Sequence, residues 1–323
     1  MSIKLINYPR YVLPDEYEET IQQLVEIIKK DGVVSIFQIG HVKTPGISDI
    51  DILVVFEDGV KYNFAPLECL PKRACYLFTH NLFGISRRHF YEAQRFTFYH
   101  NYRLLWGEEL NVSQADLSPQ EIELLKRQTA LEFLLANFIS KTVELTYRVV
   151  SLRNLLLNVN ALRYDMEFLN ISSGRLLHLI MTLIDWRRAW FQKKVDEVAL
   201  QIWLQEFYAE LQAFLASILT RQKFYLPLKP QYQLAGHIRL VPGNEFSFKH
   251  DGLSLPSVFY RLGKKGMRLL HRFNRFDFIL PIASCSEVEI LNHRFELFKN
   301  LKIDHENHKG FSPLLNNIVY KIA

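Results

Sequence analysis

The chain has 323 residues, 49% of them hydrophobic and 23% charged, and its formal net charge is +5. This length and this apolar share predict two or three domains with packed cores and exclude long disordered stretches. The three cysteines, Cys69, Cys75 and Cys285, are too few and too scattered for a disulfide framework or a zinc site, which favours a reducing, cytoplasmic compartment.

Two further features of the whole chain limit the classes of function. The N-terminus lacks a basic start followed by an apolar run, and the most apolar stretch, LLHLIMTLI, is far shorter than the ~20 residues that a membrane-spanning helix needs. We therefore predict neither a signal peptide nor a membrane span. The positive charge is concentrated between Arg221 and Arg275, where eleven Lys or Arg residues stand against Glu245 and Asp251 alone.

The first 112 residues alternate between helical and strand patterns. Pro14 and the acidic residues after it predict the start of a helix, and Gly32 marks its end. The runs that follow predict three strands, a short helix and a closing strand, over residues 33–39, 50–56, 74–79, 87–93 and 102–106.

From Ser118 onward the pattern becomes helical. Ser118, Pro119 and Glu121 form a capping-box start, and apolar residues then recur at helical spacing through Leu157. Further helices are predicted over 172–191 and 195–221, with apolar stripes that are typical of a helical-bundle core.

Pro227 and Pro230 mark a boundary, after which short strand-like pieces precede one helix. The strands are predicted over 237–241 and 276–282, and the helix over 286–301. This part is either a small third lobe or an extension of the bundle, and the sequence leaves both open.

Two aspartates open the second predicted strand, in the segment VVSIFQIGHVKTPGISDIDILVVFEDG. Asp49 and Asp51 are two residues apart, so their side chains point to the same side of the strand, at the mouth of an otherwise apolar run. Carboxylates this close repel each other, and a divalent cation removes that cost by binding oxygens of both. A solvated pair that caps the strand is the alternative for an isolated D-x-D, but the preceding strand and Gly turn favour a metal site.

This segment resembles the core motif of the DNA polymerase β-type nucleotidyltransferase superfamily, in which a strand, a Gly-Ser turn, a loop and a strand opening with D-x-D follow one another. SDIDILVVFEDG is similar to the second of these strands almost residue for residue. The later segment LLWGEEL, residues 104–110, resembles the LYGEDL segment that closes the catalytic domain of many bacterial small nucleotidyltransferases.

The resemblance and the element patterns together predict an α+β fold in three parts. A nucleotidyltransferase-like domain with a mixed β-sheet and flanking helices is expected over 1–112, and a helical-bundle domain over 113–225. A small basic α+β lobe, or an extension of the bundle, is expected over 226–323.

The resemblance implies two-metal nucleotidyl transfer from a nucleoside triphosphate. Asp49 and Asp51 are expected to bind Mg²⁺, for which Mn²⁺ can substitute, while an acceptor hydroxyl attacks the α-phosphorus and pyrophosphate leaves. ATP is the expected nucleotide. The residues expected to contact it lie in the loop before the aspartates and are Gly40, His41, Lys43 and Ser48.

Two positions depart from the family pattern. His41 stands where the family has a serine, and it is either a replacement donor to phosphate or a tolerated surface residue. The strand predicted over 74–79 carries no acid, although the family places its third carboxylate there. Thr79, His80 and Asn81 stand at about that position, and His80 is either a catalytic base or metal ligand, or a structural histidine.

The segment RLGKKGMRLLHRFNR, residues 261–275, holds six Lys or Arg residues and no acid. Helical spacing places most of these charges along one side, which suits contact with phosphate groups of a nucleotide, a nucleic acid or a membrane surface. A solvated amphipathic helix is the alternative. Arg148 and Arg153 in the long helix are further candidates for phosphate contacts.

Three hypotheses about function follow. The first is a nucleotidyltransferase whose acceptor is a small molecule or a protein; a nucleic-acid acceptor is less favoured, because the basic segment is far in sequence from the aspartates. The second is a protein of the same fold that binds a nucleotide or a partner without turnover, which the missing third acid supports. The third is a protein-interaction module formed by the helical half and the basic lobe, with the first domain as its scaffold.

Overall fold

A computed structural model describes residues 3–98, 101–111, 117–193, 195–253, 263–315 and 317–323. The chain forms two compact units, and each of them is assembled from separate stretches of sequence. The sheet unit comprises Arg10–Glu121, His293–Asn316 and Ala323. The helical unit comprises Met1–Pro9, Ile122–Asn292 and Asn317–Ile322.

The fold is mixed α+β, as predicted. The strands are β1 (Lys4–Ile6), β2 (Val33–Ile39), β3 (Asp51–Phe56), β4 (Phe83–Ser86), β5 (Tyr102–Gly107), β6 (Val149–Ser151), β7 (Phe224–Leu226), β8 (Tyr232–Ala235), β9 (Ile238–Pro242), β10 (Ser247–Gly252), β11 (Asn274–Leu280), β12 (Ile282–Ser284) and β13 (Ser312–Pro313). The helices are α1 (Pro14–Ile28), α2 (Lys72–Cys75), α3 (Arg87–Ala93), α4 (Pro119–Thr146), α5 (Leu152–Phe168), α6 (Arg175–Ala189), α7 (Glu197–Arg221), α8 (Gly263–Arg272), α9 (Glu289–Asn307) and α10 (Ile318–Ile322).

The sheet unit is built on a five-stranded sheet with the strand order β13-β4-β3-β2-β5. β3 pairs antiparallel with β2 and parallel with β4, so the sheet is mixed, as predicted. β5 closes one edge by antiparallel pairing with β2. The other edge is closed by β13, which comes from the far end of the sequence and pairs parallel with β4.

Both faces of β3 are covered. Alternate residues of a strand point to opposite faces, and Ile52 and Val54 belong to the core that also contains Ile21 of α1. On the opposite face of the sheet, Phe37 of β2 stacks on Phe90 of α3, with ring centroids 5.9 Å apart. Burial on both faces fixes the register of β3, and with it the position of the residues that open the strand.

The third predicted strand, over 74–79, is wrong. This stretch begins with the helical turn α2 after Pro71 and continues as turns, and the strand beside β3 is β4, which starts at Phe83. The residues that the stretch buries are Ala74, Leu77 and Phe78, a spacing of three and four that suits a helical turn rather than a strand. The apolar run therefore packs into the core without joining the sheet.

The helical unit begins at the predicted capping box but divides earlier than the sequence suggests. The hydroxyl of Ser118 accepts the backbone N–H of Glu121, whose carboxylate accepts the backbone N–H of Ser118. α4 then ends at Thr146 instead of continuing through Leu157. Arg148 adopts a φ of +55°, and β6 pairs parallel with β1 before α5 begins. Apolar spacing alone does not reveal this break, because the residues of β6 are buried too.

A second sheet, with the strand order β10-β11-β9-β8, belongs to the helical unit. β9 and β11 lie within two residues of the strands predicted over 237–241 and 276–282. Phe276 and Phe278 are fully buried on one face of this sheet, where Phe138 of α4 lies against Phe278. On the other face Arg239 and Asp277 form a bidentate ion pair, so this face is polar.

The division into units differs from the three consecutive domains predicted over 1–112, 113–225 and 226–323. The C-terminal third supplies 293–316 to the sheet unit and most of its remaining residues to the helical unit. The sequence contains no sign of this because the pairing of β13 with β4 is non-local. Among the residues that the structure describes, no helix is both long enough and apolar enough to span a membrane.

Candidate metal centre

The two aspartates and His80 meet at one end of the strands of the five-stranded sheet, where the parallel strands β3 and β4 begin. β3 starts at Asp51, and its register pairs Leu53 with Phe83 of β4. The residues just before Phe83 therefore stand beside those that open β3. The fold in this way brings His80 next to Asp51, which lies 29 positions away in the sequence.

Side-chain atoms of these three residues form a compact cluster. The Nε2 atom of His80 lies 2.9 Å from Oδ1 of Asp51 and 3.8 Å from Oδ2 of Asp49. One candidate ligand atom from each residue lies within 4.8 Å of the other two. Asp49 also accepts a hydrogen bond from the hydroxyl of Thr79. The two carboxylates therefore face the same imidazole, which belongs to the residues just before β4.

The second ring nitrogen of His80 fixes the orientation of its imidazole. Nδ1 lies 2.6 Å from the backbone carbonyl oxygen of Asn81, and because a carbonyl only accepts, Nδ1 carries a proton. Nε2 is thereby directed at the carboxylates. Metal-binding histidines commonly use one nitrogen to donate to a carbonyl while the other faces the ion.

Burial and like charge oppose the ionised form of Asp49. Burial, followed by the charge of Asp51, raises the pKa of Asp49 above its usual value. The hydrogen bond from Thr79 and the charge of His80 act in the opposite direction but are outweighed. A carboxyl group in this position gains from any nearby positive charge.

His80 supplies such a charge in the metal-free protein. Burial by itself lowers the pKa of His80, but its hydrogen bond to Asp51, the bond to the Asn81 backbone and the charges of both aspartates outweigh burial and raise the pKa to about 9. The ring is therefore a cation at neutral pH and balances one carboxylate. A divalent ion at the same place would take over that role, with Nε2 deprotonated toward it.

The donor set fits a divalent cation. Neighbouring ligands around an ion at ~2.1 Å are roughly 3 Å apart, and the separation of 2.9 Å between His80 and Asp51 is of this size. The exposed fractions of the His80, Asp49 and Asp51 side chains are 36%, 12% and 34%, so that water and a ligand can reach an ion held there. An imidazole donor suits Mn²⁺ better than Mg²⁺, which prefers oxygen ligands.

Gly40 is held in place by its conformation and by its own hydrogen bond. It adopts a φ of +71°, which favours glycine, and its N–H donates to the carbonyl oxygen of Asn101 at 3.1 Å. This N–H is therefore not free to bind a phosphate oxygen, in contrast to the expectation for the turn. The backbone N–H groups of His41, Val42 and Lys43 make no hydrogen bond within the described part of the chain.

The four residues predicted to contact a nucleotide fall into two groups. His41 and Lys43 are exposed on the loop that leads to the aspartates. Ser48 is buried instead, and its hydroxyl accepts the backbone N–H of Thr44 at 3.1 Å. Its carbonyl oxygen accepts a hydrogen bond from the Tyr17 hydroxyl at 2.8 Å. Ser48 therefore shapes the loop, and Gly40 turns it, while His41 and Lys43 are open to a ligand.

No carboxylate completes the cluster from the neighbouring strand. The residues that lead into β4 and form it read THNLFGIS, from Thr79 to Ser86, and contain no acid. Thr79 and His80 are the residues of this stretch that contact the aspartate pair. The third carboxylate of the family pattern is therefore still missing when the strand beside β3 is taken as 83–86 instead of 74–79.

A second titratable cluster, which the sequence did not indicate, lies at the other end of β4. One carboxylate oxygen of Asp304 lies 2.6 Å from both the hydroxyl of Ser86 and Nδ1 of His89, and it also accepts the Ser86 backbone N–H. All three side chains are buried. Ser86 approaches the same ring nitrogen as Asp304, so the histidine does not bridge the two as in a hydrolytic triad. The cluster instead attaches the segment 293–316 to the sheet.

Comparison of the chain with protein-family models, with curated proteins and with solved structures gave no significant match. The chemistry of the centre therefore rests on its own residues: a carboxylate pair and an oriented imidazole at the start of two parallel strands, on a mixed sheet.

Proposed function

We propose that the chain is a metal-dependent nucleotidyltransferase-like protein, which transfers a nucleoside monophosphate from a nucleoside triphosphate to a hydroxyl acceptor. The observation that carries the proposal is the convergence of Asp49, Asp51 and His80 at the start of two parallel strands. The same stretch of sequence resembles the nucleotidyltransferase core motif. ATP is the nucleotide proposed, and a cytoplasmic location is part of the same proposal.

The residues of the centre divide the work between them. Asp49 and Asp51 would hold the ion, and His80 would supply a third donor through Nε2. When bound, divalent ions neutralise triphosphate oxygens and activate the acceptor hydroxyl. The backbone N–H groups of the loop from His41 to Lys43, which find no partner among the described residues, and the Lys43 side chain are the donors proposed for the phosphates.

A second candidate function is nucleotide binding without turnover. The absence of an acid from Thr79 to Ser86 favours it, because the family uses a third carboxylate to help deprotonate the acceptor. His80 can replace that acid as a ligand, but its Nε2 cannot hold an ion and accept the acceptor's proton at the same time. Transfer by this protein is accordingly expected to be slow.

The acceptor is proposed to be a small molecule or a protein side chain rather than a nucleic acid. A cleft of about 770 Å³ lies along α1 and β5 of the sheet unit, where Glu18, Arg103 and Trp106 are among its lining residues. None of its lining residues belongs to the metal cluster. This cleft therefore does not identify the acceptor.

The test measures binding and transfer with matched variants. The purified protein is incubated with Mn²⁺ or Mg²⁺, each α-labelled nucleoside triphosphate and a panel of acceptors, and metal–nucleotide affinity is measured by calorimetry. The variant Asp49→Asn/Asp51→Asn is compared with Asp15→Asn/Asp31→Asn, which removes the same charge from exposed positions of the same unit.

Loss of nucleotide binding in the first variant, with binding kept in the second, is the expected result. Label transfer by the wild type supports the transferase, and binding without transfer supports the second candidate. Equal binding by both variants would show that the nucleotide is held elsewhere, and the proposed centre would have to be abandoned.

A further inference from the structure

A basic cleft of about 730 Å³ lies in the helical unit, beside the start of β11 in its four-stranded sheet. The turn between β8 and β9, the end of α8 and the start of β11 form its walls. The lining contains four arginines and two histidines and no acidic residue: Gln233, Ala235, Gly236, His237, Arg239, Arg268, His271, Arg272, Asn274 and Arg275. Such a composition is complementary to an anion.

The four arginines are not equivalent. Arg239 is neutralised by Asp277, which it contacts through two hydrogen bonds of 2.7 and 2.6 Å. Arg275 contacts the same carboxylate at 3.3 Å through Nε. Arg268 and Arg272 are exposed and make no ion pair within the residues that the structure describes. They are four positions apart on α8 and so lie on one side of the helix, which leaves two guanidinium groups available to a ligand.

Two neutral imidazoles lie between the arginine-bearing elements. The rings of His237 and His271 stack with centroids 3.9 Å apart, and Nδ1 of His271 lies 3.3 Å from the hydroxyl of Tyr147. Burial, with a smaller contribution from the charge of His271, lowers the pKa of His237 to about 4, and burial lowers the pKa of His271 as well. The positive charge of the cleft at neutral pH therefore comes from arginine alone.

We propose that this cleft binds the phosphate groups of a small phosphorylated molecule, with Arg268 and Arg272 as the principal contacts and Arg275 as a third. Guanidinium groups match phosphate oxygens with two parallel hydrogen bonds, and these charge-assisted bonds are stronger than neutral ones. The cleft shares no lining residue with the carboxylate centre, because every residue that lines it belongs to the helical unit.

The size and charge pattern favour a small ligand over a polymer. A volume of about 730 Å³ is within the ~300–1,000 Å³ of small-molecule sites. The adjoining strand β10 places Asp251 directly opposite Arg275, so that an acidic residue borders the cleft on this side. A nucleic acid would need a longer basic track along its backbone.

The test uses inorganic pyrophosphate as the probe, in EDTA so that no metal can bring it to the carboxylate centre. Calorimetry is carried out on the full chain at low ionic strength, with the variants Arg268→Gln/Arg272→Gln and Arg188→Gln/Arg221→Gln. The second pair removes the same charge from exposed positions of the helical unit outside the cleft. Far-UV circular dichroism and thermal unfolding establish that each variant is folded.

The cleft variant is expected to bind pyrophosphate at least about tenfold more weakly than the wild type, with the control variant within about twofold. The variant Asp49→Asn/Asp51→Asn is expected to bind pyrophosphate with the affinity of the wild type. The outcome for the cleft is therefore independent of the transferase proposal. No binding by the wild type, or equal weakening in both arginine variants, would overturn the proposal.

One further measurement distinguishes a soluble phosphorylated molecule from a lipid headgroup. It is needed because two apolar side chains, Leu269 before Arg272 and Phe273 after it in the sequence, are exposed. Vesicles of phosphatidylcholine with phosphatidylserine are sedimented with the protein. No sedimentation is expected. Sedimentation that Leu269→Ser/Phe273→Ser abolishes, in a protein that does not bind pyrophosphate, would make this surface a membrane contact and refute the small-molecule site.

Discussion

Replacement of Asp304 by asparagine removes the charge at the centre of the buried cluster that joins the segment 293–316 to the sheet. The carboxylate accepts hydrogen bonds from the Ser86 hydroxyl, the Ser86 backbone and Nδ1 of His89. All three bonds converge on one carboxylate oxygen, and the single carbonyl oxygen of asparagine can take its place, but that oxygen carries no charge. The variant therefore keeps the shape of the side chain and its acceptor oxygen but loses the charge that strengthens all three hydrogen bonds.

The expected cost is about 3 kcal/mol, at about 1 kcal/mol for each of the three hydrogen bonds that lose a charged acceptor. Asp304 has only 9% of its side chain exposed, so solvent screening does not reduce this value much. Glu296→Gln is the matched control on the same helix. Its ion pair with Lys299 is about half exposed on both sides, and its loss should cost about 0.5 kcal/mol or less.

The pH dependence has a defined sign. Burial by itself raises the pKa of Asp304, but the hydrogen bonds from His89 and Ser86 outweigh it and hold the pKa below its usual value. A carboxylate with a lowered folded-state pKa stabilises the fold above its unfolded pKa of about 3.9 and loses this effect as the pH falls through the folded value. The difference between wild type and Asp304→Asn should therefore be full at neutral pH and shrink in strong acid.

The assay combines urea unfolding with hydrogen exchange. Because the two units need not unfold together, exchange is read from peptides that cover β4 and the segment 293–316, where the Ser312 N–H donates to the Leu82 carbonyl at 2.7 Å. Faster exchange in these peptides is expected for Asp304→Asn alone. Similar exchange in Asp304→Asn and Glu296→Gln, or a difference that grows in acid, would refute the assigned role of the cluster.

Three further outcomes are expected, each measured as a shift in thermal unfolding. Burial and the neighbouring carboxylate raise the pKa of Asp49, so its ionised form opposes folding above that pKa. Asp49→Asn should therefore stabilise the metal-free protein. The same variant should abolish the stabilisation that Mn²⁺ gives the wild type. Gly107 has a φ of +92°, and a methyl group there would overlap a backbone carbonyl of β2, so Gly107→Ala should cost at least about 3 kcal/mol. Gly59 has a φ of +79° but open space around it, so the control Gly59→Ala should cost about 1 kcal/mol. Arg148→Gly should leave stability unchanged or raised, since it relieves a positive φ, while Arg163→Gly inside α5 should cost about 1 kcal/mol.

The sequence was most informative where one local pattern determined the structure. β2 and α3 were predicted at the residues where they occur, because a mostly apolar run and a short amphipathic segment each had clear boundaries. The closeness of Asp49 and Asp51 was predicted from their spacing of two residues, although only Asp51 lies within β3. The carboxylate pair could therefore be anticipated without any knowledge of the fold.

Features that depend on distant partners were not predictable. The run from Ala74 to Phe78 is apolar enough for a strand, and only its packing beneath the sheet makes it a set of turns. The contact between His80 and Asp51 depends on the register of β3 with β4. The basic cleft contains His237 and His271, which are distant in the sequence and meet only because β9 pairs with β11.

The return of residues 293–316 to the sheet has a consequence for synthesis on the ribosome. Until about residue 313 has been made, the sheet lacks its edge strand β13, and the buried Ser86 and His89 lack the carboxylate that they surround. Residues 10–121 must therefore wait until residues 122–292 of the helical unit have been made before their own core is closed. The edge strand β13 is thus the last strand of this sheet to be made, although β2 to β5 precede most of the helical unit.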